Sequence, residues 1–224
     1  MDTHQTLDVN EIFESVCGEI NGFNGCGQIS TFIRLNGCNL ACRWCDTLYA
    51  KGAPKCIMHI DDIIAKVKTR HVTITGGEPF EQSNITKLAN QLITREYDVS
   101  IETNGTHPCP NELLRGACLI MDYKLPSSQM MGRMNLSAFK TLQENDWIKC
   151  VCQDAADFTH ALAFLRENEI GTKNIAFSPV TKPNDHDEFV WAQELCHLML
   201  EAQKKSPHFD FHFSLQIHKL IGVA

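Results

Sequence analysis

The chain has 224 residues, 43% of them apolar, and a formal net charge of −7; this suits one domain with a buried core. No run of about twenty apolar residues is present to cross a bilayer. The polar, acidic opening MDTHQTLDVNEIFE lacks the regions of a secretion signal, and no block of Lys or Arg would neutralise a run of phosphates. The expectation is a cytoplasmic protein with no membrane and no direct nucleic-acid contact. Eleven cysteines, an odd number with three inside eight residues, point to a reducing compartment and to metal or cluster chemistry. The scattered ones, among them Cys56, Cys109, Cys118 and Cys196, read as ordinary core or surface residues.

In chain order, STFIRLN (30–36) reads as a strand, and HIDDIIAKVKTR (59–70) sets Ile60, Ile63, Ile64 and Val67 at helical spacing. HVTIT (71–75) is a strand closed by Gly76-Gly77. A helix over 82–96, the strands DVSIET (98–103) and LIMDYK (119–124), and a short helix near 136–144 follow. WIKCVC (147–152) is a strand, 154–168 a helix, NIAFSPV (174–180) a strand, 185–203 a long helix, and FHFSLQI (211–217) a last strand. The alternation predicts an α/β fold: an incomplete (β/α) barrel of six or seven steps, mostly parallel, in a single domain over 1–224. Ligands in such folds gather at the carboxyl ends of the strands, and every motif below falls at or just after a predicted strand end.

The segment Gly37-Cys38-Asn39-Leu40-Ala41-Cys42-Arg43-Trp44-Cys45-Asp46-Thr47 follows the first strong strand in the pattern C-x3-C-x2-C. A cubane cluster offers four irons, each suited to a thiolate. Three cysteines on one loop hold three corners and leave the fourth iron open to a ligand. Zinc is the competing reading, but it prefers four tetrahedral ligands, commonly as paired C-x2-C units. No second pair is present, and only Cys56 or His59 is nearby in sequence as a fourth ligand.

Three cysteines with Trp44 before the last resemble the signature of the radical S-adenosylmethionine (SAM) superfamily. Thr75-Gly76-Gly77-Glu78-Pro79, about thirty residues on, resembles that superfamily's GGE motif. Further motifs resemble the 7-carboxy-7-deazaguanine synthase family. Val9–Glu19 is similar to its E-I-F-x-T-x-Q-G-E opening, and Phe32–Cys38 to its F-I-R-L-x-G-C. Cys45-Asp46-Thr47 is similar to its C-D-T, Ile101–Thr106 to its I-E-T-x-G-T, and Gln216–Lys219 to its Q-x-H-K tail.

The resemblance implies a lyase that contracts 6-carboxy-5,6,7,8-tetrahydropterin to 7-carboxy-7-deazaguanine with loss of ammonia, on the way to queuosine-type 7-deazapurines. It implies a [4Fe–4S] cluster on Cys38, Cys42 and Cys45, and SAM regenerated in each turnover. It implies Mg2+ at Thr47, a hard cation suited to hydroxyl and carboxylate oxygens. SAM contacts are implied at Trp44, Cys45, Asp46, Gly76, Gly77, Glu78, Asp122, Tyr123, Lys124, Ser178, Pro179, Val180 and Thr181. Substrate contacts are implied at Val16, Cys17, Gly18, Glu19, Arg34, Thr75 and His218. A reductant such as flavodoxin or ferredoxin and a homodimer are the expected partners.

One departure stands out: Cys17 occupies a position where the family has Gln, and a thiol is a weak donor and acceptor where an amide is strong at both. The tail, Leu220-Ile221-Gly222-Val223-Ala224, stays apolar to its last residue, whereas most termini end in polar residues that fray. A packed tail would bring His218 and the carboxylate of Ala224 to the barrel mouth; a tail that merely plugs the barrel is the other reading. A glycyl-radical enzyme activase, an iron–sulfur electron carrier and a zinc-stabilised binding module compete at this point.

Overall fold

The computed structural model describes residues 5–22, 25–113, 116–180 and 188–223. Its strands are β1 (Thr6–Val16), β2 (Ile29–Leu35), β3 (Cys56–His59), β4 (His71–Gly76), β5 (Asp98–Thr103), β6 (Ala117–Asp122), β7 (Trp147–Cys152), β8 (Asn174–Pro179) and β9 (Asp210–Phe213). They form one sheet in the order β3-β1-β2-β4-β5-β6-β7-β8-β9. From β2 onward neighbours run parallel, while β1 pairs antiparallel with both β2 and β3. The sheet does not close, so the incomplete barrel is the observed architecture. The helices are α1 (Ile60–Ile64), α2 (Ile85–Thr94), α3 (Leu136–Lys140), α4 (Ala155–Glu167), α5 (Glu188–Lys205) and α6 (Ile217–Ile221). Among the described residues no helix is long and apolar enough to cross a membrane.

The two-residue period of a strand sorts side chains between the faces of the sheet. Ile33 and Leu35, Val72 and Ile74, Val99 and Ile101, Leu119 and Met121, Ile148 and Cys150, and Ile175 and Phe177 all enter the main core. The helices cover that face with Leu88 and Leu92, Phe139, Phe158 and Phe164, and Leu195 and Met199. The alternate residues Arg34, Thr75, Glu102, Asp122 and Lys149 line a cavity on the other face. Strand register keeps them near one level: Arg34 pairs with Thr75, and Asp122 with Lys149.

Several boundaries differ from expectation. The N-terminal segment, legible only as a motif, is the eleven-residue strand β1, with Leu7 and Val9 buried two positions apart. The helix expected over 59–70 ends at Ile64, because Lys68 and Thr69 turn their amides to Thr31 Oγ1, each at 3.2 Å. The last strand stops at Phe213 instead of 217. Beyond it Ser214 Oγ accepts from the Ile20 amide at 3.1 Å and Ile217 donates to the Gly18 carbonyl at 2.8 Å, which lifts the chain off the sheet into α6. The short helix near 136–144 is five residues long. The long helix runs Glu188–Lys205, and the start expected at 185 lies outside the described residues.

Candidate active site

At the carboxyl end of β2 the chain turns through Gly37 (φ 88°) into the cysteine loop. Gly76, at the end of β4, holds φ 119°, and a Cβ there would lie 2.2 Å from the Leu35 carbonyl oxygen. A Cβ on Gly77 would lie 1.5 Å from the Gly37 carbonyl oxygen, so only glycine lets these strand ends touch. Gly77 donates to Leu35 O (3.0 Å) and Glu78 to Gly37 O (2.7 Å). The Glu78 carboxylate is fully buried and accepts from Thr103 Oγ1 (2.7 Å), the Asn104 amide (2.6 Å) and the Phe80 amide (3.1 Å). Burial pushes its carboxyl up, against those donors.

Cys38, Cys42 and Cys45 all line the cavity, whose open volume is about 240 Å³. Trp44 is pinned by its indole N–H to Ser127 Oγ at 3.2 Å, and Lys124 Nζ stands 5.8 Å from its ring centre. Burial pushes the Cys42 thiol up, and the nearby Lys124 ammonium opposes this. No three His, Cys, Asp or Glu side chains among the described residues converge as ligands of a single ion. Cys56 is exposed on the edge strand β3, and His59 caps α1, so neither approaches the triplet as a zinc ligand. Three thiols on one loop at the edge of a cavity, with no fourth ligand beside them among the described residues, suit a multi-iron cluster better than one tetrahedral ion.

The cavity floor is charged. Lys149 pairs with Glu19 Oε2 at 2.8 Å and stands 3.9 Å from Asp122 Oδ1, while Lys124 pairs with Asp122 Oδ2 at 2.6 Å. Burial alone would push Lys149 down, but Glu19, Asp122 and Glu102 outweigh it and hold the ammonium well above its usual range. Burial likewise raises Asp122, and Lys124 with Lys149 overcomes it to hold the carboxyl low. Glu102 accepts from Thr75 Oγ1 at 2.6 Å, and burial pushes its carboxyl up despite Lys149. Glu19 Oε1 and Asp122 Oδ1 are buried acceptors with no hydrogen-bond donor among the described residues. The structure thus holds acceptors on the cavity wall for ligand N–H or O–H groups, which fits an amine- and hydroxyl-bearing cofactor.

Around the rim, Arg34 pairs with Glu11 at 2.9 Å and stacks near Phe13 and Tyr49. Cys17 is buried, and its sulfur accepts from Asn21 Nδ2 at 2.8 Å. Burial raises this thiol, and the bonds from Asn21 and Thr73 oppose it. His218 lies against Gly18, where a Cβ would come 2.1 Å from His218 Nδ1. Burial pushes the imidazole down, with Glu19 opposing. Thr47 Oγ1 donates to Asp46 Oδ1 at 3.4 Å, and Lys219 grips Asp46 Oδ2 at 2.6 Å. Partial removal from water would raise Asp46, but Lys219 dominates and holds it at about 2.

The cavity therefore gathers Trp44, Cys45, Asp46, Gly76, Gly77, Asp122, Lys124 and Val180 of the residues expected to meet SAM, and all the described residues expected to meet substrate. Three others face elsewhere by strand parity or bonding. Tyr123 stacks on Phe164 at 3.8 Å in the core, Pro179 is on the same helix-covered side, and Glu78 is committed to its three donors. Ser178 Oγ is buried without a hydrogen-bond partner among the described residues. Thr181 and Ala224 lie outside the described residues. Sequence reasoning gave no role to Lys149, Glu102, Asn21, Asn104 and Lys219, all on the cavity wall, although Glu102, Asn104 and Lys219 lay within its motifs. The signal for two of them was a single charge inside an apolar strand, WIKCVC and VSIET.

Residues 32–117 match the Radical SAM superfamily model. The chain is 36% identical to the 7-carboxy-7-deazaguanine synthase of Clostridium acetobutylicum and 34% identical to that of Koribacter versatilis, covering 95% and 96% of both partners. Among solved structures, QueE from Escherichia coli shares the fold at a TM-score of 0.72 and 22% identity, over 95% of each chain. SuiB of Streptococcus suis, in a crystal structure with S-adenosylmethionine, aligns at a TM-score of 0.55 and 13% identity over 79% of this chain and 44% of its own. By its end-to-end likeness to the first two relatives, this chain belongs to the 7-carboxy-7-deazaguanine synthase family within the radical SAM superfamily.

Proposed function

We propose that the chain converts 6-carboxy-5,6,7,8-tetrahydropterin to 7-carboxy-7-deazaguanine with release of ammonia, as a step in 7-deazapurine synthesis. The observation that carries this is the likeness to relatives of that name over 95% of both chains. The cysteine motif alone belongs to the whole superfamily and would serve an activase equally. An electron carrier has no need of a polar cavity beside its cluster.

Cys38, Cys42 and Cys45 would hold a [4Fe–4S] cluster, leaving one iron for the amino and carboxylate groups of SAM. The chemistry supplied by that pair, when bound, is one-electron cleavage of a carbon–sulfur bond to give a carbon radical. The chain's own work is to bind, orient and exclude water. The strand ends Thr75–Gly77 and Val180, with Asp122 and Lys124, form the wall suited to SAM. Asp122 stays ionised beside its two ammonium partners and so can accept hydroxyl donors. Arg34, Glu19, Cys17 and His218 line the part of the cavity suited to a carboxylated pterin. His218, held below its usual range, is neutral at pH 7 and can both donate and accept there.

Mg2+ at Thr47, a flavodoxin- or ferredoxin-like reductant, a cytoplasmic setting and a homodimer complete the proposal. Thr47 Oγ1 and Asp46 Oδ1 support the Mg2+ element, being oxygen donors of the right hardness at the rim. Thr47→Ala should then shift the Mg2+ dependence of turnover, and Thr47→Ser should retain it.

Anaerobic incubation with 6-carboxytetrahydropterin, SAM, Mg2+ and reductant tests the function by mass spectrometry. The expected product is 7-carboxy-7-deazaguanine with ammonia released and SAM not consumed stoichiometrically. SAM cleavage without any change in the pterin would overturn the assignment.

A further inference from the structure

Behind the cysteine loop lies a set of amides that the reaction as described leaves unused. Asn104 follows β5 and is buried, 7% exposed, beside the cavity. Its backbone amide donates to Glu78 Oε2 at 2.6 Å. Its side-chain oxygen receives two donors from Thr106, the backbone amide at 3.1 Å and Oγ1 at 2.7 Å. Oδ1 is thereby identified, and Nδ2 must face the other way, which removes the usual ambiguity of an amide flip. One Nδ2 hydrogen is engaged by Asn39 Oδ1 at 2.9 Å. The second faces Cys38 Sγ at 3.8 Å, within reach for a sulfur acceptor. Asn39 is itself held by Thr106 Oγ1 at 2.8 Å. With Oδ1 held by Thr106 and one Nδ2 hydrogen by Asn39, the remaining N–H faces the Cys38 sulfur.

We propose that Asn104 is a positioning residue that tunes the cluster, donating an N–H···S bond to Cys38 that raises the reduction potential and eases electron entry. The inference rests on Cys38 being a cluster ligand. Its physical basis is that reduction adds negative charge to the cluster sulfurs. A fixed donor dipole stabilises the reduced form more than the oxidised one, and second-shell bonds of this kind set iron–sulfur potentials. Burial strengthens the effect, since little water screens it.

The test is redox titration of anaerobically reconstituted wild type, Asn104→Leu and Asn104→Asp, with the reduced cluster followed by electron paramagnetic resonance. Leucine fills the volume without a donor. Aspartate still accepts from Thr106 but presents no N–H to sulfur; its added charge also lowers the midpoint, so a wild-type midpoint in it overturns the inference while the neutral leucine variant carries the positive result. The expected result is iron content like wild type and a more negative midpoint in both, by roughly tenfold in the reduction equilibrium, about 59 mV for one electron. A wild-type midpoint in either variant would overturn the inference while leaving the enzyme assignment intact. Folded variants that both fail to take up iron would also overturn it, since Asn104 would then serve assembly. Wild-type protein with no cluster would instead remove the reading on which it rests.

Discussion

The cavity has two unlike walls. At the β2–β4 corner, backbone meets backbone across Gly37 and Gly77, and a fully buried carboxylate receives three donors. Across from it, α6 has no buried residue, and the described contacts anchoring it are the Ile217–Gly18 bond, His218 on Gly18 and the half-exposed Lys219–Asp46 pair. The first wall carries the cysteine loop, where misplacement of a thiolate would lose a cluster corner. The second is a short strap with no buried residue of its own. Rigidity lies under the cysteine loop, while the opposite rim is closed by a few polar contacts.

The largest expected effect breaks the rigid wall outright. Cys38→Ala, Cys42→Ala or Cys45→Ala should abolish iron binding and turnover, measured by iron analysis after anaerobic reconstitution. Cys118→Ala and Cys196→Ala should keep their iron, because the first sits under Gly22 and the second on α5, away from the loop. A scattered cysteine as necessary for iron as the triplet would contradict the three-corner account.

Next comes the floor shared by both walls. Lys149→Met leaves Glu19 buried without its ammonium partner and Asp122 with Lys124 alone. Breaking one side of a buried ion pair costs about 3–5 kcal/mol, which for a chain of this size is a fall in Tm of roughly 6–20 °C. Calorimetry showing no change would mean that water reaches this floor freely.

Two smaller effects probe the strap. Burial holds His218 below the usual imidazole range, so protonation, which sets in only below that range, should oppose its seat against Gly18. The substrate KM should rise as pH falls below that range in wild type and stay flat in His218→Asn. Lys219→Ala should cost at most about 1 kcal/mol, as expected for an exposed pair. Asp46 is depressed to about 2 from 3.8, so its stabilisation is present above about pH 4 and is lost as pH falls toward 2. Acid denaturation of the variant should lack that contribution, and coincident pH–stability curves would remove Lys219 from the strap.

The same contrast governs what the sequence made legible. The rigid wall could be read because its parts are local: three cysteines on one loop, and Gly-Gly at a strand end. The parallel core was also legible, since Val72, Ile74, Val99 and Ile101 alternate as strands require. The strap was misread as a strand through 217, because β propensity in FHFSLQI cannot reveal that Gly18 and Ile20 recruit the backbone just past Phe213. Thr31 ended α1 early for the same reason, through a bond made 37 residues away in sequence. Tyr123 was placed at the site by the family resemblance, although strand parity with Met121 sends it into the core. Lys149 and Glu102 needed that parity argument as well, since a charge in an apolar strand means little until its face is known.

A cluster held at three corners with one iron open to the cavity should respond to SAM, and electron paramagnetic resonance of the reduced, reconstituted protein before and after SAM addition would read that response. The expected result is a [4Fe–4S] signal whose g values shift on saturation with SAM and that disappears in the Cys42→Ala variant. A cluster signal in wild type that saturating SAM leaves unchanged would contradict it.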